Sequence, residues 1–215
     1  LTLTRSEKRN ALSGEMIEEL TAAAGEIAAS STIRVVVLSG EGDVFCAGGD
    51  LGWMRAQMAA EPAAQRRAAM GLAMMLKALN EVPVPLIGRV QGNAFGGGIG
   101  LMSVCDVVVA VEGASFGLTV TRLGLTPATI GPYVVARMGA ARARRVFFSS
   151  RVFDVAEAVE LGLVARVAPA SGLDAAVERE VVPYLACAPG AVAEAKALAL
   201  RLGGGVDAAA ISDSV

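Results

Sequence analysis

The chain has 215 residues, 54% of them hydrophobic and 19% charged, with a formal net charge of −2. That length suits one α/β domain with a small helical appendage, and the apolar balance predicts a large core and a buried subunit interface. No basic cluster interleaved with aromatics points to nucleic acid, no apolar run approaches the roughly 18 residues that cross a bilayer, and the absence of histidine removes the Ser-His and Cys-His nucleophile systems and the usual zinc sites, so no metal is expected.

Leu1 to Thr4 reads as a strand, without the charged-then-apolar pattern of a signal peptide. Ser13 is a good N-cap for a helix beginning near Gly14, on which Met16, Leu20, Ala24 and Ile27 form one stripe. Ile33 to Ser39 is a strand. It leads through Glu41-Gly42-Asp43 into Val44-Phe45-Cys46-Ala47-Gly48-Gly49-Asp50-Leu51, where glycines again precede a helix. From Leu51 to Leu79 the pattern is helical, interrupted at Pro62 and Gly71. Met54, Met58, Met70, Met74 and Met75 concentrate there. Core packing is the plainer reading of them, and an adaptable wall for an acyl chain is the functional one.

Pro85 to Val90 reads as a buried strand, Ile99 to Val104 as a short helix and Asp106 to Val111 as a further strand. Between the first two lies Gln91-Gly92-Asn93-Ala94-Phe95-Gly96-Gly97-Gly98, around which the chain is organised. Glycine there permits positive φ and close backbone approach to a ligand. A helix N-terminus offers unpaired N–H groups and positive potential, which suit an anion or a polarised carbonyl oxygen. A glycine-lined packing turn is the alternative. A phosphate-binding loop is excluded because Gly98 stands where lysine is required, and a dinucleotide loop because Leu101 stands at its third glycine. Together with the stretch at 47–50, two such loops are able to aim two backbone N–H groups at one oxygen, an oxyanion hole.

Further on, Gly117 to Gly124 is a loop and short helix. Pro132 to Met138 is a helix stopped by Gly139, another helix runs from Ala140 to Phe148, and Asp154 caps a third that Gly162 ends. Val164 to Val167 is a last strand, and Leu173 to Ala188 and Gly190 to Leu202 are helical. Cys46, Cys105 and Cys187 lack metal-ligand spacing and read as buried small residues in a reducing compartment.

Phe45-Cys46-Ala47-Gly48-Gly49-Asp50-Leu51, Gln91 to Gly98 and Cys105-Asp106 resemble the crotonase, or enoyl-CoA hydratase/isomerase, superfamily. So do the opening Leu1 to Leu12, Phe116-Gly117, and Arg122-Leu123-Gly124-Leu125-Thr126-Pro127, in order along almost the whole chain. The resemblance implies an α/β spiral of β-β-α units over residues 1–170 and a C-terminal helical region over 171–215. Members usually carry a further helical tail that covers the site and joins subunits, and Gly203-Gly204-Gly205 is expected to mark where order weakens. It also implies a homotrimer or a dimer of trimers, a cytoplasmic location, and an acyl-CoA thioester as partner, with coenzyme A as part of the substrate and no separate cofactor.

On that resemblance the thioester carbonyl accepts hydrogen bonds from the N–H groups of Gly49 and Gly97, which stabilise an enolate. Lys8, Arg9, Ala11, Ala47, Asp50, Leu51, Gly96 and Thr119 are the expected substrate contacts; Arg5 completes the basic group, and Asp50 is also expected to cap or pin its loop. The two glutamates of family hydratases fall on Gly100 and Val120, neither of which moves a proton. Thr119, Thr121, Thr126, Ser103, Asp50, Glu112 and Tyr133 are the nearby alternatives, and none is assigned as the base. The stretch Gly124 to Tyr133 resembles the branch that hydrates methylglutaconyl-CoA, so Arg122 or Arg137 is a candidate partner for a distal carboxylate, or else a solvated helix charge. Three functions stay open: a hydratase or isomerase of fatty-acid or branched-acid breakdown, a decarboxylase of a malonyl-type thioester that needs no base, and a non-catalytic acyl-CoA binding subunit.

Overall fold

A computed structural model describes residues 1–203. The chain winds as a spiral in which each turn adds one strand to a long sheet and the next to a short one. The parallel five-stranded sheet runs β1 (Thr2–Leu3), β2 (Val36–Gly40), β4 (Leu86–Val90), β6 (Val107–Val111) and β9 (Arg166–Ala168). The four-stranded sheet runs β3 (Val44–Cys46), β5 (Asn93–Phe95), β7 (Ser115–Gly117) and β8 (Val152–Asp154), with only the β7–β8 pair antiparallel. Helices follow each pair: α2 (Leu51–Met58) and α3 (Pro62–Asn80) after β3, α4 (Gly97–Val104) after β5, and α5 (Gly131–Met138) and α6 (Ala140–Phe147) after β7. This is the expected α/β spiral of β-β-α units.

The local signals act as read. The Ser13 side chain accepts the Met16 N–H at the start of α1 (Gly14–Ala29), and Asp154 accepts the Glu157 N–H at the start of α7 (Val155–Glu160). In α1 the residues Met16, Ile17, Leu20, Ala24 and Ile27 are buried in the main core, and α1 lies along α3. Each large apolar side chain so buried contributes about 1.5–3 kcal/mol, and Leu20→Ala would cost about 2–5 kcal/mol. α8 (Leu173–Leu185) covers the outer face of the long sheet, placing Leu173, Ala176 and Val177 on Ile87 and Val109. α9 (Pro189–Leu202) follows it and buries no residue fully.

Several expectations are corrected. Gly71 does not interrupt α3, since the helix around it is held by its buried stripe Leu72, Ala73, Met75, Leu76 and Leu79. The three-residue strands β5, β7 and β8 are too short to announce themselves by alternation. Cys187 is exposed, while Cys46 and Cys105 are buried as expected. Residues 204–215, with Gly204 and Gly205, lie outside the described residues. Among the described residues no helix is long and apolar enough to cross a membrane.

The corners joining the two sheets explain residues that carry no chemistry. Gly92 has no room for a side chain, because a Cβ there would stand 1.9 Å from the Asp43 carbonyl oxygen. Gln91 clamps the neighbouring corner. Its Oε1 accepts the Gly40 N–H, and its Nε2 donates to the carbonyls of Gly42 and Val44. Asn10, fully buried, donates from Nδ2 to the carbonyls of Glu41 and Val44.

Candidate active site

Two glycine loops meet where β3 and β5 end. Gly48 has φ 96° and Gly96 has φ 47°, backbone conformations that favour glycine. A Cβ on Gly48 would lie 3.0 Å from the Phe95 carbonyl oxygen and 3.6 Å from the Gly97 nitrogen, so the loops abut at backbone distance. Gly97 is the first residue of α4 and Gly49 stands two residues before α2. Among the described residues, neither the Gly49 nor the Gly97 N–H donates to another group.

Both glycines, with Gly96, open into a cavity of about 290 Å³. One wall comes from α2 (Trp53, Met54, Gln57, Met58), one from α3 (Gln65, Ala68, Ala69, Leu72), and one from the segment 120–130 (Val120, Leu125, Thr126, Pro127, Thr129, Ile130). Among the described residues, none that lines it is ionisable. Of the polar groups, Gln65 Nε2 donates to the Ala60 carbonyl at 2.9 Å.

The position of the first expected glutamate is closed. A Cβ on Gly100 would meet Ile130 Cγ2 at 2.9 Å and Leu76 Cδ1 at 3.2 Å, so apolar side chains fill the space. Val120 does line the cavity, on a short 3-10 turn over residues 119–123. The structure therefore brings together Gly49, Gly96, Gly97 and Val120 from the expected set. Ala11 is buried with its carbonyl accepting from Arg5, and the Ala47 N–H donates to the Arg9 carbonyl at 2.9 Å. Leu51 is 69% exposed, Lys8 and Arg9 are exposed on and beside the turn 6–8, and Thr119 packs beside Gly117. None of these six lines the cavity, nor does Asp50. Asp50 pins its loop instead. One carboxylate oxygen accepts the Trp53 N–H at 2.9 Å and the other faces Arg5 Nη1 at 2.9 Å, which together hold its carboxyl below the usual carboxylate range.

Of the alternative bases only Thr126 lines the cavity, and its hydroxyl is a poor base near neutral pH. The Tyr133 hydroxyl donates to the Ala73 carbonyl at 2.6 Å, and burial pushes its phenol above its ordinary range. Ser103 donates to the Ile99 carbonyl, Thr121 pairs with Ser150, and Glu112 is exposed. Arg137 donates to the carbonyls of Gly162, Cys105 and Asp106, and Arg122 is exposed, so neither arginine reaches the cavity. The methionines divide. Met75 is buried, Met70 packs against the core, and Met54 and Met58 line the cavity. Trp53, Gln57, Gln65 and Ile130 escaped the sequence reading; a lone tryptophan three residues after the Asp50 cap was the available signal for the first.

These loops and this spiral define a class. A model of the enoyl-CoA hydratase/isomerase family matches residues 1–198, and the chain belongs to that family. It is 35% identical over 199 residues to the enoyl-CoA hydratase ACTT6 of Alternaria alternata, covering 92% of this chain and 65% of that one. Against another Alternaria alternata enoyl-CoA hydratase, AKT6-1, the chain covers 54% of the relative's length. Among solved structures, AtuE of Pseudomonas aeruginosa superposes with a TM-score of 0.92 at 38% identity, covering 99% of this chain and 83% of that one. An enoyl-CoA hydratase of Shewanella pealeana gives 0.90 at 34% identity, covering 99% and 80%. The spiral is thus the crotonase fold.

Proposed function

We propose that the protein binds an acyl-CoA thioester with its carbonyl oxygen between the N–H groups of Gly49 and Gly97, and its acyl chain against Met54, Leu72 and Ile130. The observation that carries this reading is the convergence of two abutting glycine loops, with unengaged N–H groups, on an apolar cavity. Charge that develops on the thioester oxygen as an enolate forms is stabilised there more than the ground state is. Lys8 and Arg9, exposed near the loop, suit the phosphates of the nucleotide end. Calorimetry with acetoacetyl-CoA, an enolate-like ligand, tests the reading. Micromolar binding is expected, and no binding overturns it.

The family's name suggests hydration of an enoyl thioester. The filled space at Gly100 and the valine at 120 favour a second reading, decarboxylation of a malonyl-type thioester. There the C–C bond to the carboxylate breaks, its electron pair passes into the thioester enolate, CO2 leaves, and water protonates the α carbon. No side chain has to remove a proton. A panel of enoyl- and malonyl-type thioesters with product mass spectrometry separates the two, and the absence of any product favours a binding subunit. A homotrimer or a dimer of trimers is the assembly proposed from the apolar composition and the family, and light scattering of the full-length protein tests it.

A further inference from the structure

We infer that Arg5 is a positioning residue that holds the Gly49 N–H and the root of α2 in place, an inference that rests on Gly49 being an oxyanion donor. Residues 9–12 lie along one edge of residues 47–50 like an added strand. The Ala47 N–H donates to the Arg9 carbonyl (2.9 Å), the Leu12 N–H to the Gly48 carbonyl (2.7 Å), and the Asp50 N–H to the Leu12 carbonyl (2.9 Å). Leu12 and Gly49 pair in parallel, and Gly49 itself contributes no bond to that edge, so its N–H is turned away from it. Leu12 also backs the second loop, since its Cδ1 occupies the place 2.6 Å from a Cβ on Gly97.

Arg5 closes this arrangement. Its Nη1 donates to Asp50 Oδ2 at 2.9 Å and to the Ala11 carbonyl at 3.0 Å, so one nitrogen ties the two laced segments together. Its own N–H donates to Oδ1 of the buried Asn10, which grips the β2–β3 corner. The pair is largely shielded, with side-chain exposures of 30% for Arg5 and 16% for Asp50. A charge-assisted bond in that setting is stronger and more directional than a neutral one. The other Asp50 oxygen fastens the first turn of α2 through the Trp53 N–H, and α2 buries no residue fully, its Trp53 packing only partly buried against the core. Of the basic group near the N-terminus, Arg5 is thereby withdrawn from the nucleotide contact left to Lys8 and Arg9.

The test compares two ligands on three proteins. Acetoacetyl-CoA carries negative charge onto the thioester oxygen when its β-dicarbonyl ionises, whereas butyryl-CoA does not. Wild type is expected to prefer the former. Arg5→Met should reduce that preference about tenfold, because displacing a donor by a fraction of an ångström weakens the charged state most. Butyryl-CoA affinity should change much less, and Arg5→Lys should recover part of the loss. Trp53, the chain's one tryptophan, reports the root of α2 directly. Its emission should shift in Arg5→Met and return in Arg5→Lys. If wild type shows no preference, the oxyanion reading fails and this inference with it. If wild type shows the preference and Arg5→Met keeps it in full, the inference alone fails. Should Arg5→Met lose cooperative unfolding, Asp50→Asn carries the same test, since it keeps an acceptor for Trp53 and removes the charge.

Discussion

The cavity beneath α9 holds about 490 Å³ and is lined by Asp106, Lys196, Arg137, Cys105 and Tyr133, among others. The cavity at the glycine loops holds about 290 Å³ and, among the described residues, has no ionisable one on its walls. By size and by charge the first looks more like a place for chemistry. Its groups are engaged in holding the fold, however. Lys196 Nζ donates to Asp106 Oδ2 at 2.7 Å and to the Val84 carbonyl, Asp106 also accepts the Leu86 N–H, and Arg137 binds three carbonyls. Burial raises the Cys105 thiol to about 12, which leaves it an inert core residue. The smaller cavity offers two backbone donors with nothing to bind. Unengaged donors, more than charged side chains, mark the candidate site.

The largest expected effect concerns what the smaller cavity lacks. Hydration of crotonyl-CoA should run about 10⁴-fold or more below an ordinary hydratase, since two groups that each contribute about 10²–10⁴ are missing. Val120→Glu puts a carboxylate into the cavity and should raise the rate. Gly100→Glu should not help alone, because its Cβ collides with Ile130 and needs a repacked wall; such overpacking costs about 1–3 kcal/mol. Stopped-flow absorbance of the enoyl thioester follows both. Wild-type turnover near 10 s⁻¹, typical of enzymes, would mean that another group supplies the proton.

Next in size is the backbone donor. Gly97→Pro removes one N–H and should weaken acetoacetyl-CoA binding by about 10²–10³, the range for loss of one oxyanion donor. Proline fits the first turn of a helix, but its Cβ would stand 2.6 Å from Leu12 Cδ1, so the substitution is made in a Leu12→Ala background that clears this space, and circular dichroism checks the fold. Unchanged affinity in a folded variant refutes the role of Gly97.

The two cavities also separate what the sequence discloses from what it hides. The glycine loops were legible because a close backbone approach excludes every Cβ, and that demand is written in the residue type: Gly48, Gly92, Gly97 and Gly98 all meet backbone or packed atoms. Caps at Ser13 and Asp154 were legible for a similar local reason, and the cap at Asp50 through the family resemblance. The closing of the Gly100 space by Ile130 and Leu76 was not, since the three residues come together only through the fold. Nor was the fate of Arg5, whose partner lies 45 residues away. Arg137 illustrates the converse error: a lone arginine on a helix reads as solvated or as a substrate partner, yet three carbonyls from two distant segments hold it.

A smaller effect is expected from the larger cavity. Lys196→Met leaves Asp106 with the Leu86 N–H alone and frees α9 from its ion pair. Loss of a charged hydrogen-bonded pair this shielded should cost about 2 kcal/mol. In a domain of this size that lowers the melting temperature by about 4–8 °C. Affinity for thioesters should not change. A weakened thioester affinity without loss of stability would reverse the comparison and make the α9 cavity part of the site.

The smallest expected effect is a flat line. With no ionisable group among the described residues on the walls of the glycine-loop cavity, and no histidine in the chain, binding of a neutral thioester should not vary between pH 5 and 8. S-butyryl-pantetheine suits the measurement, because it lacks the nucleotide phosphates, whose second ionisation near pH 6 would otherwise appear in the titration. The carboxyls held below their usual range lie outside the window. Asp50 is held by the Trp53 N–H and Arg5, and Glu157 by Arg151. A carboxyl whose folded pKa is depressed adds stability in full above its unfolded value of about 3.9–4.3 and loses it as pH falls through the folded value. Affinity should therefore hold constant down to about pH 5 and decline only at more acidic pH, as Asp50 is protonated, Arg5 loses its partner and the root of α2 loosens. In Val120→Glu the same titration should acquire an inflection within the window, because a carboxylate moved into an apolar cavity has its pKa raised by desolvation. An inflection between pH 5 and 8 already present in wild type would place an ionisable side chain at the acyl group, against the wall described here.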